Sequence, residues 1–255
     1  MMIFFLELST CSLRMPTFTH LLLDIEGTVT SISFVKDVLF PCAYEAVEDF
    51  VREHFDDAPV ARIIDDIRQV SEKESKVNNE IRLVRNTKEE CIEDISNNVR
   101  HWIKTDKKVT PMKTLQGLIW EEAYRKGDVK GHVYPDVLPA LQSLSLPTYI
   151  YSSGSVLAQK KLFGNSISGD MTKLLFGYFD TNVGLKGDPK SYTNICKHIN
   201  VDPSQVLFLT DIEAEARAAR EAGLQTMLVV REGNAPLSEE AIRDFSVIHS
   251  LGEIV

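Results

Sequence analysis

Cysteine is scarce in this chain. Cys11, Cys42, Cys91 and Cys196 stand far apart, with no C-x-x-C pair and no paired histidine spacing beside them. That pattern excludes a zinc finger or a disulfide framework and points to a reducing compartment. Positive charge is also in deficit: 28 Lys and Arg against 37 Asp and Glu leave a formal net charge of -9. A field of that sign repels nucleic-acid backbones and anionic membranes, so neither is an expected partner. It does not exclude a small anionic substrate, because one site can be positive inside a negative protein. Long apolar runs are missing too, and a membrane helix needs about 20 such residues. The opening run Met1 to Leu6 has no basic residue before it and is broken at once by Glu7. It is read as part of an N-terminal extension, residues 1–19, rather than a signal peptide. The six histidines (His20, His54, His101, His132, His198, His249) show no ligand spacing and receive no role.

What is present is the texture of an ordinary globular protein, 44% hydrophobic and 25% charged over 255 residues. Four short apolar runs each close on a polar residue: Leu21 to Leu23 before Asp24, Tyr149 to Tyr151 before Ser152, Val206 to Leu209 before Thr210 and Asp211, and Met227 to Val230 before Arg231. Continuous apolar runs of this length, separated by helical patterns, predict buried parallel strands. Helices are predicted over Val156 to Leu162, Tyr192 to Ile199 and Glu213 to Ala222, the last ended by Gly223. The expected fold class is therefore α/β, a doubly wound Rossmann-like parallel sheet. Ligands of such sheets bind outside the carboxyl ends of the strands, where these closing residues would gather. Residues 35–135 differ, with charge-rich helical stretches at Ala43 to Phe55, Val60 to Val70 and Glu89 to Trp102. They are too long for an ordinary crossover and are read as an inserted helical cap, leaving 20–34 and 136–255 as the core.

The chemistry-bearing residues follow the strand order. Asp24-Ile25-Glu26-Gly27-Thr28 sets two carboxylates on a turn directly after the first strand. Ser152-Ser153-Gly154-Ser155 offers hydroxyls and backbone N–H groups to a phosphate at a helix start. Lys186 follows in the Gly184 to Gly187 loop, and Asp211 ends the third run. Each has a bland reading as a helix cap or surface charge. Their order along one sheet edge is what favours a site.

Together these motifs resemble those of the haloacid dehalogenase-like superfamily. Leu22 to Thr28, Phe34 to Pro41, Tyr149 to Ser155 with Ala158 and Gln159, Leu207 to Asp211, and Val229 to Arg231 with Gly233 to Ala235 resemble more closely the enolase-phosphatases of methionine salvage. Leu115 to Gly117, Trp120 and Ala123 in the cap share the likeness. That resemblance implies a phosphatase with one Mg²⁺ per subunit, held by Asp24, Asp211 and the backbone of Glu26. Asp24 is implied as nucleophile, Glu26 as general acid and base, with Ser152, Ser153 and Lys186 on the phosphate. The pKa values of Asp24 and Glu26 are expected to be separated by metal contact on the first and burial of the second. The implied substrate is 2,3-diketo-5-methylthiopentyl-1-phosphate and the product the acireductone, with Trp120 or Phe34 offered as an apolar wall for the methylthio tail. A monomer in the cytoplasm, and in the nucleus as well, completes what the family implies. Lys190 rivals Lys186, which is preferred because it follows Gly184 and because Pro189 redirects the chain. Glu215 is the weaker candidate for a second acidic ligand. A phosphatase or phosphomutase for another small phosphomonoester is the alternative on the same fold, and a non-catalytic binding module the alternative from another class.

Overall fold

The computed structural model describes residues 18–255, so most of the expected extension lies outside the described residues. Its last residues, Phe18 and Thr19, already belong to the fold: Phe18 packs on the core and the Thr19 N–H bonds the Gln205 carbonyl.

The centre is a six-stranded sheet in the order β3-β2-β1-β4-β5-β6, with every pairing parallel. The four expected runs form β1 (His20–Leu23), β2 (Thr148–Tyr151), β4 (Val206–Thr210) and β5 (Gln225–Val229). All five residues of β4 are buried, as a strand covered by helices on both faces requires. β3 (Leu175–Phe179) and β6 (Ser246–Ile248) were not foreseen. β3 is an edge strand whose apolar run is cut by Gly177 and whose Phe176 is exposed, and β6 has three residues. Neither carries the uninterrupted apolar signal of a central strand. The order reverses between β1 and β4, where Leu23 pairs with Leu209. That switch point lies beside Asp24 and Asp211.

The chain leaves β1 through a tight turn and enters α1 (Ile32–Phe34), capped by Ser31, whose side chain accepts from the Phe34 N–H. A π-helical segment, Val35–Leu39, leads into α2 (Phe40–Glu53), followed by α3 (Ala58–Glu74), α4 (Lys88–Lys104) and α5 (Thr110–Lys126). The three predicted helices of this region correspond to α2, α3 and α4. α5 was not foreseen as a helix. It buries Met112, Leu115, Gln116, Gly117, Ile119, Ala123 and Tyr124, which point to two different neighbours, so no single apolar stripe marks it.

These helices hold their own core, running from Ala43 through Ile67, Ile92 and Trp102 to Ile119. Phe34, Leu39, Ala123, Tyr124, Val129 and Val133 pack instead with the sheet's core. Trp120 touches both cores, and its Nε1–H donates to the Leu39 carbonyl at 2.7 Å. An ion pair between Glu121 and Lys161 on α7 (Val156–Gly164) adds a second tie from α5 to the sheet domain. α6 (Val137–Leu144), α8 (Pro189–Ile199), α9 (Glu213–Glu221) and α10 (Glu239–Asp244) complete the layers. Gly223, at φ +94, takes the left-handed turn that ends the α9 segment. Among the described residues no helix is long and apolar enough to cross a membrane.

Candidate active site

Asp24 follows β1 directly and is 4% exposed. Its Oδ1 accepts from the Ile25 N–H at 2.6 Å and faces the Lys186 ammonium at 2.7 Å. Its other oxygen lies 3.2 Å from the Thr210 hydroxyl at the end of β4. Lys186, 8% exposed, is shared with Glu215 Oε2 at 2.6 Å. The Thr210 hydroxyl also meets that Glu215 oxygen at 2.9 Å and accepts from the Ile212 N–H. Burial opposes the Lys186 charge, but Asp24 and Glu215 outweigh it and hold the ammonium above its ordinary pKa. Glu215 itself is raised, by burial first and then by the Asp24 charge.

The loop carrying Lys186 is pinned on three sides. Tyr192 donates its hydroxyl to the Lys186 carbonyl at 2.7 Å, Tyr151 to Gly184 at 2.9 Å and Ser191 to Leu185 at 2.7 Å. Gly184, at φ +139, lies so close to Ser191 that an added Cβ would stand 2.1 Å from its Oγ. Only glycine fits that approach. Lys190 sits in the first turn of α8, exposed, away from the carboxylates that Lys186 meets.

Asp211 is 8% exposed, and its Oδ1 is buried with no hydrogen-bond partner. Burial and the Asp24 charge push its pKa up to about 7. Asp24 and Glu215 thus share the buried Lys186 ammonium, while Asp211 beside them keeps one buried carboxylate oxygen without a donor. That surplus of hard oxygen suits a divalent cation such as Mg²⁺, which takes carboxylate, carbonyl and water ligands. Asp24, Asp211 and the carbonyl of residue 26 are the groups that would hold it.

Glu26 differs from expectation. Its side chain reaches the surface, whereas Asp24 is buried. The Glu26 carboxyl is nonetheless raised, by lost hydration at the mouth of the site and then by the Asp24 charge, against the opposing pull of Lys108 and Lys186.

The serine turn is partly spent on itself. The Ser152 N–H bonds the Phe179 carbonyl, and Ser152 Oγ accepts from the Gly154 N–H. Ser155 caps α7 through the Ala158 N–H, while Ser153 is exposed. Gln159 locks the turn by donating to the Gly154 and Phe179 carbonyls at 2.8 and 2.9 Å. The amide groups expected to be free are therefore fewer than the sequence suggests, those of Ser152 and Gly154 being taken.

A second acidic group, Glu53, His54 and Glu122, lies between the end of α2 and α5 and contains none of the expected ligands. Both ring nitrogens of His54 meet carboxylates, Asp57 at 2.7 Å and Glu122 at 2.9 Å. These partners hold the imidazole above its ordinary pKa, the Asp57 hydrogen bond contributing most, and an imidazolium has no lone pair for a metal.

The raised Asp211 has a consequence for stability. Its folded value of about 7 lies above the 3.8 of an ordinary aspartate, so folding takes up a proton between those values. The Asp211 contribution is full below about pH 4 and is lost as pH rises through 7. The melting midpoint of the metal-free protein should therefore fall from pH 5 to pH 8. The slope should flatten with millimolar Mg²⁺, which takes the proton's place, and in Asp211→Asn. An unchanged slope in Asp211→Asn would assign the effect elsewhere.

Comparison with known proteins places this geometry. Residues 18–223 match the family model described as haloacid dehalogenase-like hydrolase. The chain is 60% identical over 241 residues to enolase-phosphatase E1 of Caenorhabditis elegans, covering 93% of this chain and 97% of that one. Against enolase-phosphatase E1 of Drosophila melanogaster it is 47% identical over 239 residues, covering 90% and 92%. Among solved structures, the UTR4 protein of Saccharomyces cerevisiae superposes with a TM-score of 0.74 at 34% identity, covering 91% of this chain and 98% of that one. The chain belongs to the haloacid dehalogenase-like hydrolases and, within them, to the enolase-phosphatase E1 family.

Proposed function

We infer that this protein is an enolase-phosphatase of methionine salvage, converting 2,3-diketo-5-methylthiopentyl-1-phosphate to the acireductone and phosphate. The observation that carries this reading is the assembly of Asp24, Lys186 and Asp211 at the switch point of a chain so close to that family along its whole sheet.

The residues divide the work by charge. A phosphate dianion repels a carboxylate nucleophile, so the site must supply positive charge before attack. Lys186 supplies one unit from the protein, and one Mg²⁺ per subunit, held by Asp24, Asp211 and the residue 26 carbonyl, would supply neutralising charge and polarise an oxygen of the substrate. Asp24 attacks phosphorus in line: the Oδ–P bond forms, the P–O bond to the substrate breaks, and an aspartyl-phosphate results. Lys186 and the Ser152 and Ser153 hydroxyls hold charge on the equatorial oxygens. Glu26 gives its proton to the departing oxygen, then takes one from the water that hydrolyses the aspartyl-phosphate. Its raised pKa favours the protonated form that the first step needs. Glu215 keeps Lys186 aimed at Asp24.

In this reading residues 35–135 form the cap and 20–34 with 136–255 the core. Phe34 is buried at the junction, and Trp120 bridges the two cores. Their positions support an apolar wall where cap meets sheet. A monomer of the cytoplasm and nucleus is proposed with the function, the partner being the small phosphorylated diketone.

The experiment follows the diketone phosphate by stopped flow with Mg²⁺, recording ultraviolet absorbance and phosphate in parallel. Enol absorbance should rise before phosphate appears, and both should fail in excess EDTA. Phosphate released directly from the unenolised diketone would leave an ordinary capped phosphatase and remove the enolisation step.

A further inference from the structure

Two side chains from the loop after β5 grip the turn that carries Glu26, and the mechanism above uses neither. Asn234 Nδ2 donates to the Gly27 carbonyl at 2.9 Å and to the Val229 carbonyl at 3.3 Å. Arg231 Nε donates to the Thr28 carbonyl at 3.1 Å. These are consecutive carbonyls of the turn, reached from outside it. On its inner side the turn closes on itself: the Gly27 N–H bonds the Thr30 carbonyl, and the N–H groups of Thr28, Val29 and Thr30 converge on the Ile25 carbonyl.

The grip is rigid at its base. The Arg231 side chain is 7% exposed and forks onto Asp136 at 3.0 and 2.8 Å. It also donates to the His249 carbonyl at 2.9 Å and lies over the Tyr134 ring at 4.3 Å. A guanidinium held on so many sides cannot swing without stranding a carboxylate. Asn234 is presented by the turn at Gly233, whose φ is +87.

The turn needs such a hold. Gly27 has φ +74, and an added Cβ would stand 2.4 Å from Asp211 Oδ2, so its backbone runs directly against the Asp211 carboxylate. The inner hydrogen bonds fix the turn's shape but not its tilt against Asp211. Tilt is set by what holds Gly27 and Thr28 from the far side, and Glu26 precedes Gly27 in the chain.

We propose that Asn234 and Arg231 are positioning residues that set the aim of Glu26 through the Gly27 and Thr28 carbonyls. The proposal rests on the reading of Glu26 as general acid and base. Misplacing a proton donor by a fraction of an ångström slows the step that needs the proton and spares the step that does not.

The test uses the full chain with Mg²⁺ and two esters, an alkyl phosphate and p-nitrophenyl phosphate, whose leaving group departs without a proton. Asn234→Ala should lower kcat/KM, which reports the first step alone, about 10–100-fold on the alkyl ester and less than about threefold on the nitrophenyl ester. Added to Glu26→Gln, it should cost little more, because both changes disable the same step. Arg231→Lys keeps a cation on Asp136 but cannot keep the same fork. It should show the same dependence on leaving group, and it carries the test if Asn234→Ala melts early. Equal losses on both esters, or fully additive losses on the Glu26→Gln background, would overturn the proposal. If Glu26→Gln alone proves harmless on the alkyl ester, the acid–base reading falls first and the positioning role with it.

Discussion

Asp24→Asn should lose phosphate release by more than about 10⁴-fold while melting within a few degrees of the parent. Asparagine keeps the side-chain volume and an oxygen that can accept from the Ile25 N–H, now at 2.6 Å. Thr210 remains within reach, and Lys186 retains Glu215 at 2.6 Å, so no buried cation is stranded. That matters, because unpairing a buried charge would unfold many proteins and obscure the result. What asparagine cannot do is form the aspartyl-phosphate. The two steps of the reaction should separate in this variant: removing a proton from carbon needs no covalent phosphoenzyme, so enol absorbance should still develop while phosphate does not. Phosphate release at the parent's rate would remove Asp24 as nucleophile. Loss of enol absorbance as well would show that Asp24 also serves the first step.

Glu26→Gln should fall by about 10²–10⁴-fold on substrates with poor leaving groups, the usual span for a lost general acid–base. On p-nitrophenyl phosphate the loss at the first step should shrink, because nitrophenolate needs no proton to leave. The pH profile gives an independent reading. The Glu26 pKa is raised, so the acid is protonated over a wider range than a free glutamate; activity in the first step should decline as pH rises through that raised value, and this limb should vanish in Glu26→Gln. Equal loss on both ester types, with the limb intact, would move the acid role to another group.

The sheet was legible in the sequence where strands are buried on both faces and unreadable where they are not. β4 is a run of five buried residues, whereas β3 carries Gly177 and the exposed Phe176 and so reads as a loop. α5 was hidden for the opposite reason: it is buried against two layers, and its apolar residues follow no one-sided period. At the site, residues that end strands were the readable ones, since a strand's direction fixes where its last side chain goes. Asp24 and Asp211 belong to that class. Glu215 does not, because a residue one turn into a helix can face the sheet or the solvent, and only the assembled structure turns it onto Lys186. Lys186 and Lys190 stand four residues apart, and only the neighbouring Gly184 and Pro189 favoured the first in the sequence. The structure separates them by contact: Lys186 is buried on Asp24 and Glu215, and Lys190 is exposed. Arg231 and Asn234 were visible as part of a resemblance, but their targets are backbone carbonyls, which every residue possesses.

The strand order also governs how this molecule is put together in time. β1 is the centre of the sheet, yet its neighbours are made late: Leu21 pairs with Thr148, and His20 with Val206. A chain emerging from the ribosome therefore presents Leu21, Leu22 and Leu23 long before either partner strand exists, and closing such distant contacts is the slow part of folding. The helices between them can pair locally, because their core from Ala43 to Ile119 is drawn entirely from that stretch. These helices can thus pack first, drawing the two ends of their own segment together and shortening the search by which β1 finds β2. The cell's exposure to aggregation lies in that interval, with an apolar central strand waiting for its sheet.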